Sequence, residues 1–304
     1  MAYNTPTPGS IGVCGDGSDG AVTFDGTTVI LGLTPVLSVY TLARDIYLGP
    51  STINSGVTIN TNGFRVFCNA TLTNNGTIAH NGNSGLADGT LGAALANTSA
   101  SINAAGAGSS SMGLAGASGQ TGVGSTAVNG SGSVIAYGGT GGAGGTGGSA
   151  GGSAGTLTTN STTLGSFRSL PFAVMGGVIN SLITIAGFRA QGGSGGGGGG
   201  GDGSVKGGGG GGGGGVVIVS AYNIVGTGNI RARGGNGGSP ASGTNCGGGG
   251  AGGGGLVIVV SRSIVSGAIA GQTIDANHGT PGTPQGSGSS GGTGNNGTVI
   301  LLQP

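Results

Sequence analysis

Glutamate and tryptophan are absent from this 304-residue chain, and charge of either sign is scarce. Eight Lys and Arg face seven Asp, so charged residues make up 5% where an ordinary domain carries ~25%. Without a basic excess, neither a nucleic-acid face nor an anionic-membrane face is expected. Two His, one Lys and no acid except Asp leave little material for acid–base chemistry. No pair of carboxylates stands at a glycosidase-like spacing, and no nucleophile comes with a base and an orienting group. The expectation is therefore a protein that is not an enzyme and carries no cofactor. Cys14, Cys68 and Cys246 lack C-x-x-C or zinc spacing and read as small buried apolar residues, with one disulfide at most. The opening "MAYNTPTPGS" has no basic or apolar signal region. The uncharged stretch 171–188 is broken by Asn, Ser, Thr and three Gly, so no membrane insertion is expected.

What the chain has instead is glycine, 83 residues of it, about four times the usual share of ~7%. Such a composition often marks flexible linkers. Against that stand 35% hydrophobic residues, gathered into Val/Ile/Leu runs unlike those of disordered chains.

Those runs repeat. "FRVFCNATLTNNGTIAHNG" (64–82) aligns without a gap on "VVIVSAYNIVGTGNIRARG" (216–234). The alignment sets Phe64 on Val216, Val66 on Ile218, Leu72 on Ile224, Ile78 on Ile230, Gly76 on Gly228 and Gly82 on Gly234. A third copy spans 174–192. A fourth begins "LVIVVSRSIV" and needs four extra residues before "TIDANHG"; "TVILLQP" is a fifth that stops after its first strand. Each copy reads as strand, turn, short strand, Gly turn, short strand, Gly. Alternation places Ile78, Phe188, Ile230 and Ile274 in one inward column. His80, Ala190, Ala232 and Ala276 form the next inward column, His80 as a packed core residue, while Arg189, Arg231 and Asp275 point outward. Modules that cannot bury an apolar face alone stack on their neighbours. The expected fold is all-β with little or no α-helix, an elongated β-solenoid or β-helix-like stack.

Between the modules lie Gly-rich excursions, approximately 83–173, 193–215, 235–255 and 280–297. They leave and re-enter at one edge, which brings them side by side. Polyglycine can form an extended threefold helix of roughly 3.1 Å rise with no internal hydrogen bonds. Its N–H and C=O groups then need neighbouring chains, and glycine permits close approach on every side. A packed polyglycine II-type layer is the second structural expectation. The division reads as 1–50, an N-terminal cap or attachment region; 51–82, the first β module; 83–173, a Gly/Ala/Ser/Thr-rich insertion with short strands such as "SVIAY"; and 174–304, β modules alternating with polyglycine excursions. Within the first region, "AVTFDGTTVILGL" reads as a hairpin turning at Asp25-Gly26, and "SVYTLARDIYLGP" as a strand or short helix.

Few motifs carry chemistry. Strings of the form G-x-G-x-x-G mean little in so Gly-rich a chain. Asp16, Asp19 and Asp25 have oxygens to offer calcium but fit no calcium-loop pattern, and Asp-Gly turn chemistry accounts for them more cheaply. His278 sits in a turn, "DANHGTPG". Asp202, Ser204 and Lys206 form a tip, "GDGSVKG", between two Gly runs and are candidate contact residues. Arg231 and Arg233 are candidates for a polysaccharide or lipopolysaccharide phosphate, or else an outward charge ladder.

The run "ARDIYLGPSTINSGVTINTNGFRVFCNATLTNNGTIAHNG", and the later order of Gly run, apolar strand, "GNIRARGGNGG" and Gly run, resemble Gly-rich proteins of tailed bacteriophages and their prophages. The long Gly runs are similar to those of tail-fibre-tip adhesins whose polyglycine helices pack in layers, although this chain has regular β modules between its Gly layers. The resemblance covers roughly residues 40–82 and 172–304. It implies a virion surface protein, made in the host cytoplasm, either a receptor-binding adhesin of the tail or a capsid decoration, cement or head-fibre protein. The partners implied are other virion proteins of tail or capsid, a host cell-surface receptor or glycan, and further copies of itself. An ice-binding protein, which would want a flat Thr or Ala array, and a passive spacer are the more distant readings.

Overall fold

The computed structural model describes residues 13–89, 138–155 and 192–303. The third repeat, with Phe188, Arg189 and Ala190, lies outside the described residues, as do "SVIAY" and most of the insertion 83–173. What is described is all-β with no helix, so none there is long and apolar enough to cross a membrane.

The N-terminal part supplies β1 (Thr23–Phe24), β2 (Val39–Thr41), β3 (Ile46–Leu48), β4 (Ser51–Ile53), β5 (Thr58–Asn60), β6 (Arg65–Asn74) and β7 (Thr77–Ala79). After the insertion come β8 (Val216–Val225), β9 (Asn229–Arg231), β10 (Asn245–Cys246), β11 (Leu256–Val260), β12 (Ile264–Val265), β13 (Ala268–Ile269), β14 (Thr273–Asp275), β15 (Gln285–Gly286) and β16 (Thr298–Leu302). Two sheets carry the repeats. One runs β1-β4-β6-β8-β11-β16, with β3 also on β6; the other runs β14-β9-β7-β5-β2. Every pairing within these two sheets is parallel. Parallel strands need long crossovers, and those from β6 to β8, β8 to β11 and β11 to β16 carry the Gly-rich excursions.

Equivalent residues of successive repeats therefore lie side by side. Ile59, Ile78, Ile230 and Ile274 are consecutive register partners, with Tyr40 next to Ile59. Ile230 is fully buried and Ile274 half-buried near the sheet's edge. These side chains meet Val66, Leu72, Val217, Val219, Ile224, Val257 and Val259 from the other sheet in one apolar core. Strand β8 is buried on both faces, as parallel strands often are: Val217 and Val219 enter that core, while Val216 and Ile218 join Leu256 in a smaller cluster behind the sheet.

The gapless alignment of the first two repeats is corrected at its start. Val66 pairs with Val219, not Ile218, and Arg65 pairs with Ile218. An irregularity between Cys68 and Thr71 then restores Leu72 to Ile224. A slip of one residue exchanges the faces of a strand. Val66 and Cys68 belong to the main core, so they must sit beside Val219 and Ala221, and the bulge absorbs the difference. Residue type cannot reveal this, because β8 begins with four apolar residues in a row. The fourth repeat keeps register from Leu256 on Val216, and the short fifth strand continues from Thr298 on Leu256. The extra residues of the fourth copy fold into the β12–β13 hairpin, turning at Ser266 and Gly267 with φ of 51° and 77°.

The Asp25-Gly26 hairpin is also corrected. Thr23 and Phe24 pair in parallel with Thr52 and Ile53, joining the first repeat's sheet. The Asp25 carboxylate instead accepts the amides of Thr27 and Thr28 and the hydroxyls of Thr28 and Tyr40, which fixes an Asx turn without reversing the chain into a ladder. Tight reversals occur further on, where Ile30 bonds Leu33 around Leu31-Gly32 and Val36 bonds Val39 around Leu37-Ser38. "SVYTLARDIYLGP" contributes the strands β2 and β3.

Replacing Ile230 by Ala is expected to lower unfolding stability by about 3 kcal/mol, as a large-to-small change in a closed column. Urea unfolding followed by circular dichroism measures it. A loss within ~0.5 kcal/mol would contradict the shared core.

Candidate functional site

The glycine segments leave the strands without a break in hydrogen bonding. Beyond β7 and β9, His80 N–H donates to the Arg231 carbonyl and Gly82 N–H to the Arg233 carbonyl. Ahead of β8 and β11, Leu256 N–H donates to the Gly215 carbonyl. From there the segments run outward and bond to one another. The stretch 247–255 is the most completely surrounded. Gly247, Gly250 and Gly253 donate to Gly200, Gly197 and Ser194; Gly248, Ala251 and Gly254 donate to Ser289, Gly292 and Asn295; Gly249, Gly252 and Gly255 donate to Gly238, Gly235 and Ala232. All nine bonds measure 2.7–3.0 Å. Its carbonyls accept from three further stretches, through Gly211, Gly142 and Gly279 among others.

The stretches 193–199 and 208–214 run antiparallel, Gly193 bonding Gly214 and Gly199 bonding Gly208. The chain between them is a tight turn at the end away from the sheets, and it carries the Asp202 tip. Asp202 is an organiser of that tip. One carboxylate oxygen accepts the Val205 and Ser204 amides and the Ser204 hydroxyl; the other accepts the Thr244 amide at 2.9 Å. These bonds, the Thr244 amide first, hold its pKa well below the ordinary carboxylate value. Gly243, at φ 116°, lets the second turn come close: a Cβ there would strike Cys246 and Asp202. β10 pairs antiparallel with β15 beside it, Asn245 against Gly286 and Cys246 against Gln285. Ser204, Lys206, Ala241, Ser242, Thr244 and Ser287 are exposed on this end. The surface offers hydroxyls, backbone groups and the Lys206 ammonium, a set suited to neutral polar recognition.

Arg231 and Arg233 stand elsewhere, next to the sheets, and both are engaged. Arg233 forks onto Asp275 with bonds of 2.6 and 2.9 Å, and Arg231 approaches the same carboxylate at 3.3 Å. Asp275 raises the Arg233 pKa, whereas burial and then the Arg233 charge lower that of Arg231. The pair is a charge ladder along the stack, Arg231 being the register partner of Asp275. The tip and the arginines are thus separate groups. Ile78, Ile230 and Ile274 form the column described above, and Phe188 falls outside the described residues.

Asp16, Asp19 and Asp25 do not converge. Asp16 holds the Ser18 amide, Asp19 holds Arg44 and the Tyr47 amide, and Asp25 holds its own turn. Among the described residues no group of three His, Cys or acidic side chains could hold a metal ion. Reading the sequence missed Thr244, Ser287 and the β10–β15 pair at the tip. Asp202 and Thr244 are 42 residues apart, and only bonds between glycine stretches bring them together. It also missed the nearly buried Asp45–Arg65 ion pair, 2.6 Å long, for which sequence spacing gives no signal.

No protein-family model matches this chain, and neither a curated protein nor a solved structure matches it.

Changing Asp202 to Ala is expected to free the Thr244 and Val205 amides. Hydrogen exchange should accelerate there while the glycine amides at 249–254 keep their protection. Unchanged exchange at Thr244 would remove Asp202 from its organising role. Asp275→Ala should cost about 2 kcal/mol, because two guanidinium groups lose their charged acceptor.

Proposed function

We propose that the β modules form a continuous solenoid-like stack, that the glycine stretches beside it pack as threefold polyglycine II-type helices, and that the whole is a non-enzymatic virion surface protein, a tail-associated receptor-binding adhesin. The observation that carries the reading is the bonding of 247–255. Donors return to the same neighbour every third residue, as a helix of three residues per turn requires. Three donor directions and three acceptor directions give such a helix six neighbours. With glycine at all but one position of 247–255, backbone approaches backbone on nearly every side.

The sequence of each stretch follows its place. The surrounded runs 195–201 and 207–215 are all glycine, and 247–255 is glycine except for Ala251. The stretch 138–149 reads GGT-GGA-GGT-GGS, with Ala143 and Thr146 exposed. The outer stretch 288–297 keeps glycine only at 288, 291, 292, 294 and 297. A helix turned inward on every face keeps glycine at nearly every position, Ala251 and Ser194 being small buried side chains it admits. One with an open face admits a side chain at every third position, and one at the margin needs glycine on a single face.

A scaffold of this kind is stiff because its backbone groups are cross-bonded, and it presents its turns at one end. That is the mechanical requirement of a tip that must hold small polar loops against a receptor, and it agrees with the resemblance to tail-tip proteins. Asp202, Ser204 and Lys206, with Thr244 and Ser287, are the contact surface in this reading. Recognition there rests on hydrogen bonds and shape, so salt should weaken it little. The N-terminal region is the attachment end: Val29, Val36 and Leu37 are exposed, Leu37 at 94%, on turns where Leu37 and Ser38 both hold positive φ. An apolar side chain kept outside, on backbone that L-residues enter at a cost of ~1 kcal/mol, fits a docking knob for another virion protein.

Three measurements test the scaffold, the function and the attachment separately. Gly142→Val sets a side chain against the Gly292 carbonyl and should cost about 2 kcal/mol, whereas Ala143→Val next to it should stay within ~0.5 kcal/mol. Equal costs would sink the threefold packing. For function, purified protein should bind susceptible host cells saturably and resistant cells not at all, with Ser204→Ala/Lys206→Ala reducing binding. Absence of cell binding together with reattachment to stripped capsids would assign the protein to capsid decoration instead. Leu37→Asn should leave folding intact and lower incorporation into particles.

A further inference from the structure

His80 is a buried titratable side chain that neither the tip nor the attachment end uses. It occupies the inward column where the later repeats hold Ala232 and Ala276, and it is 2% exposed. Its backbone joins two systems: its N–H donates to Arg231 beside β9, and its carbonyl accepts Gly215 N–H, the last residue of the run that becomes β8. The ring lies against Gly215, where a Cβ would collide with Nδ1. The Val216 backbone favours a proton on the ring, but burial outweighs it, and Nδ1 is buried with no hydrogen-bond partner.

We propose that His80 is an acid-sensitive latch at the joint between the β modules and the glycine stretches. A neutral imidazole fits the joint, whereas a protonated one carries a charge into a buried site where Nδ1 has no hydrogen-bond partner and desolvation outweighs the Val216 backbone. Continuing the register one residue beyond β5, β7 and β9 sets Thr61 on one side of His80 and Ala232 on the other, with Gly215 and Val216 across the joint. None of these is ionisable. Arg231 and Arg233 alternate to the opposite face of their strand, where Asp275 takes them. Thr61 Oγ1 is itself buried without a partner, so this stretch of the column is polar yet unsatisfied. Later repeats, with alanine here, show that the column closes without an imidazole.

Burial lowers the His80 pKa from 6.5 to about 4. The folded joint therefore binds its proton later than the opened one does. The stabilisation is complete above pH 6.5, falls as pH drops from 6.5, and is fully lost below about pH 4. The opening equilibrium of the joint should rise by up to about 300-fold across that window. The Asp16, Asp19, Asp25 and Asp202 carboxylates have pKa values lowered by their hydrogen bonds and stay ionised over most of it. The inference does not depend on where the protein is attached.

Hydrogen exchange of the full chain, corrected for the intrinsic effect of pH, tests it. Amides of 211–217 should lose protection between pH 6.5 and 4, before those of β11. His80→Ala, which copies the later repeats, and His80→Gln, which keeps a neutral polar group should Ala leave a void, should both remain protected at pH 4.5. His278→Ala should behave as the parent. Protection of the parent that stays flat to pH 4, or acid loss that persists in a folded His80 variant, would overturn the latch.

Discussion

Every backbone N–H removed from water must find an acceptor, and in this chain that requirement extends over long stretches with no side chains to assist. Apolar burial cannot organise nine glycines in a row. They have no surface to hide, and each loses more conformational freedom on ordering than any other residue. What remains is reciprocal bonding between stretches, and each stretch is useful only if its neighbours are already in position. The β modules meet that condition. Their parallel register fixes where each glycine stretch starts, one strand spacing from the next.

This dependence runs one way. The apolar core can form from β6, β8 and β11 of one sheet against β5, β7 and β9 of the other, and the glycine stretches then run outward from Gly215, Gly255 and Gly297. Strands come directly after glycine runs because the run is the ladder's extension without side chains. A flexible spacer at that junction would break the registration that the outer bonds need. His80 sits at this junction, and its ring lies against Gly215 where the inward column of the first repeat meets a glycine run.

The repeat was legible because apolar alternation and glycine spacing recur with the same period, and the columns of Ile78, Ile230 and Ile274 follow from that. The one-residue slip at Val66 was not legible, since β8 offers apolar residues to both faces and residue type is blind to which face is meant. The Asp25 turn misled because Asp-Gly fits a hairpin and an Asx turn equally well, and the hydroxyls of Thr28 and Tyr40 decide between them. At the candidate site, Asp202 could be picked out as an isolated charge, but not its work. Its partner Thr244 is brought near by bonds between glycine stretches that carry no residue-specific code.

That last failure has a physical basis that bears on how such a protein can vary. In a side-chain core, a change at one position is felt by its packed neighbours. Among the glycine stretches most positions would set a Cβ against a neighbouring carbonyl, although Ala251 and Ser194 are accommodated, while the turns at their end are joined to them through backbone. Asp202 and Thr244 stabilise each other locally, and the run behind them is indifferent to their identity. A tip built this way can change its exposed residues, Ser204, Lys206, Ser242 and Ser287, without disturbing the scaffold that holds them. The separation between backbone-bonded stretches and the polar turns at their end is what the proposed receptor-binding role needs, and it follows from using backbone hydrogen bonds in place of side-chain packing.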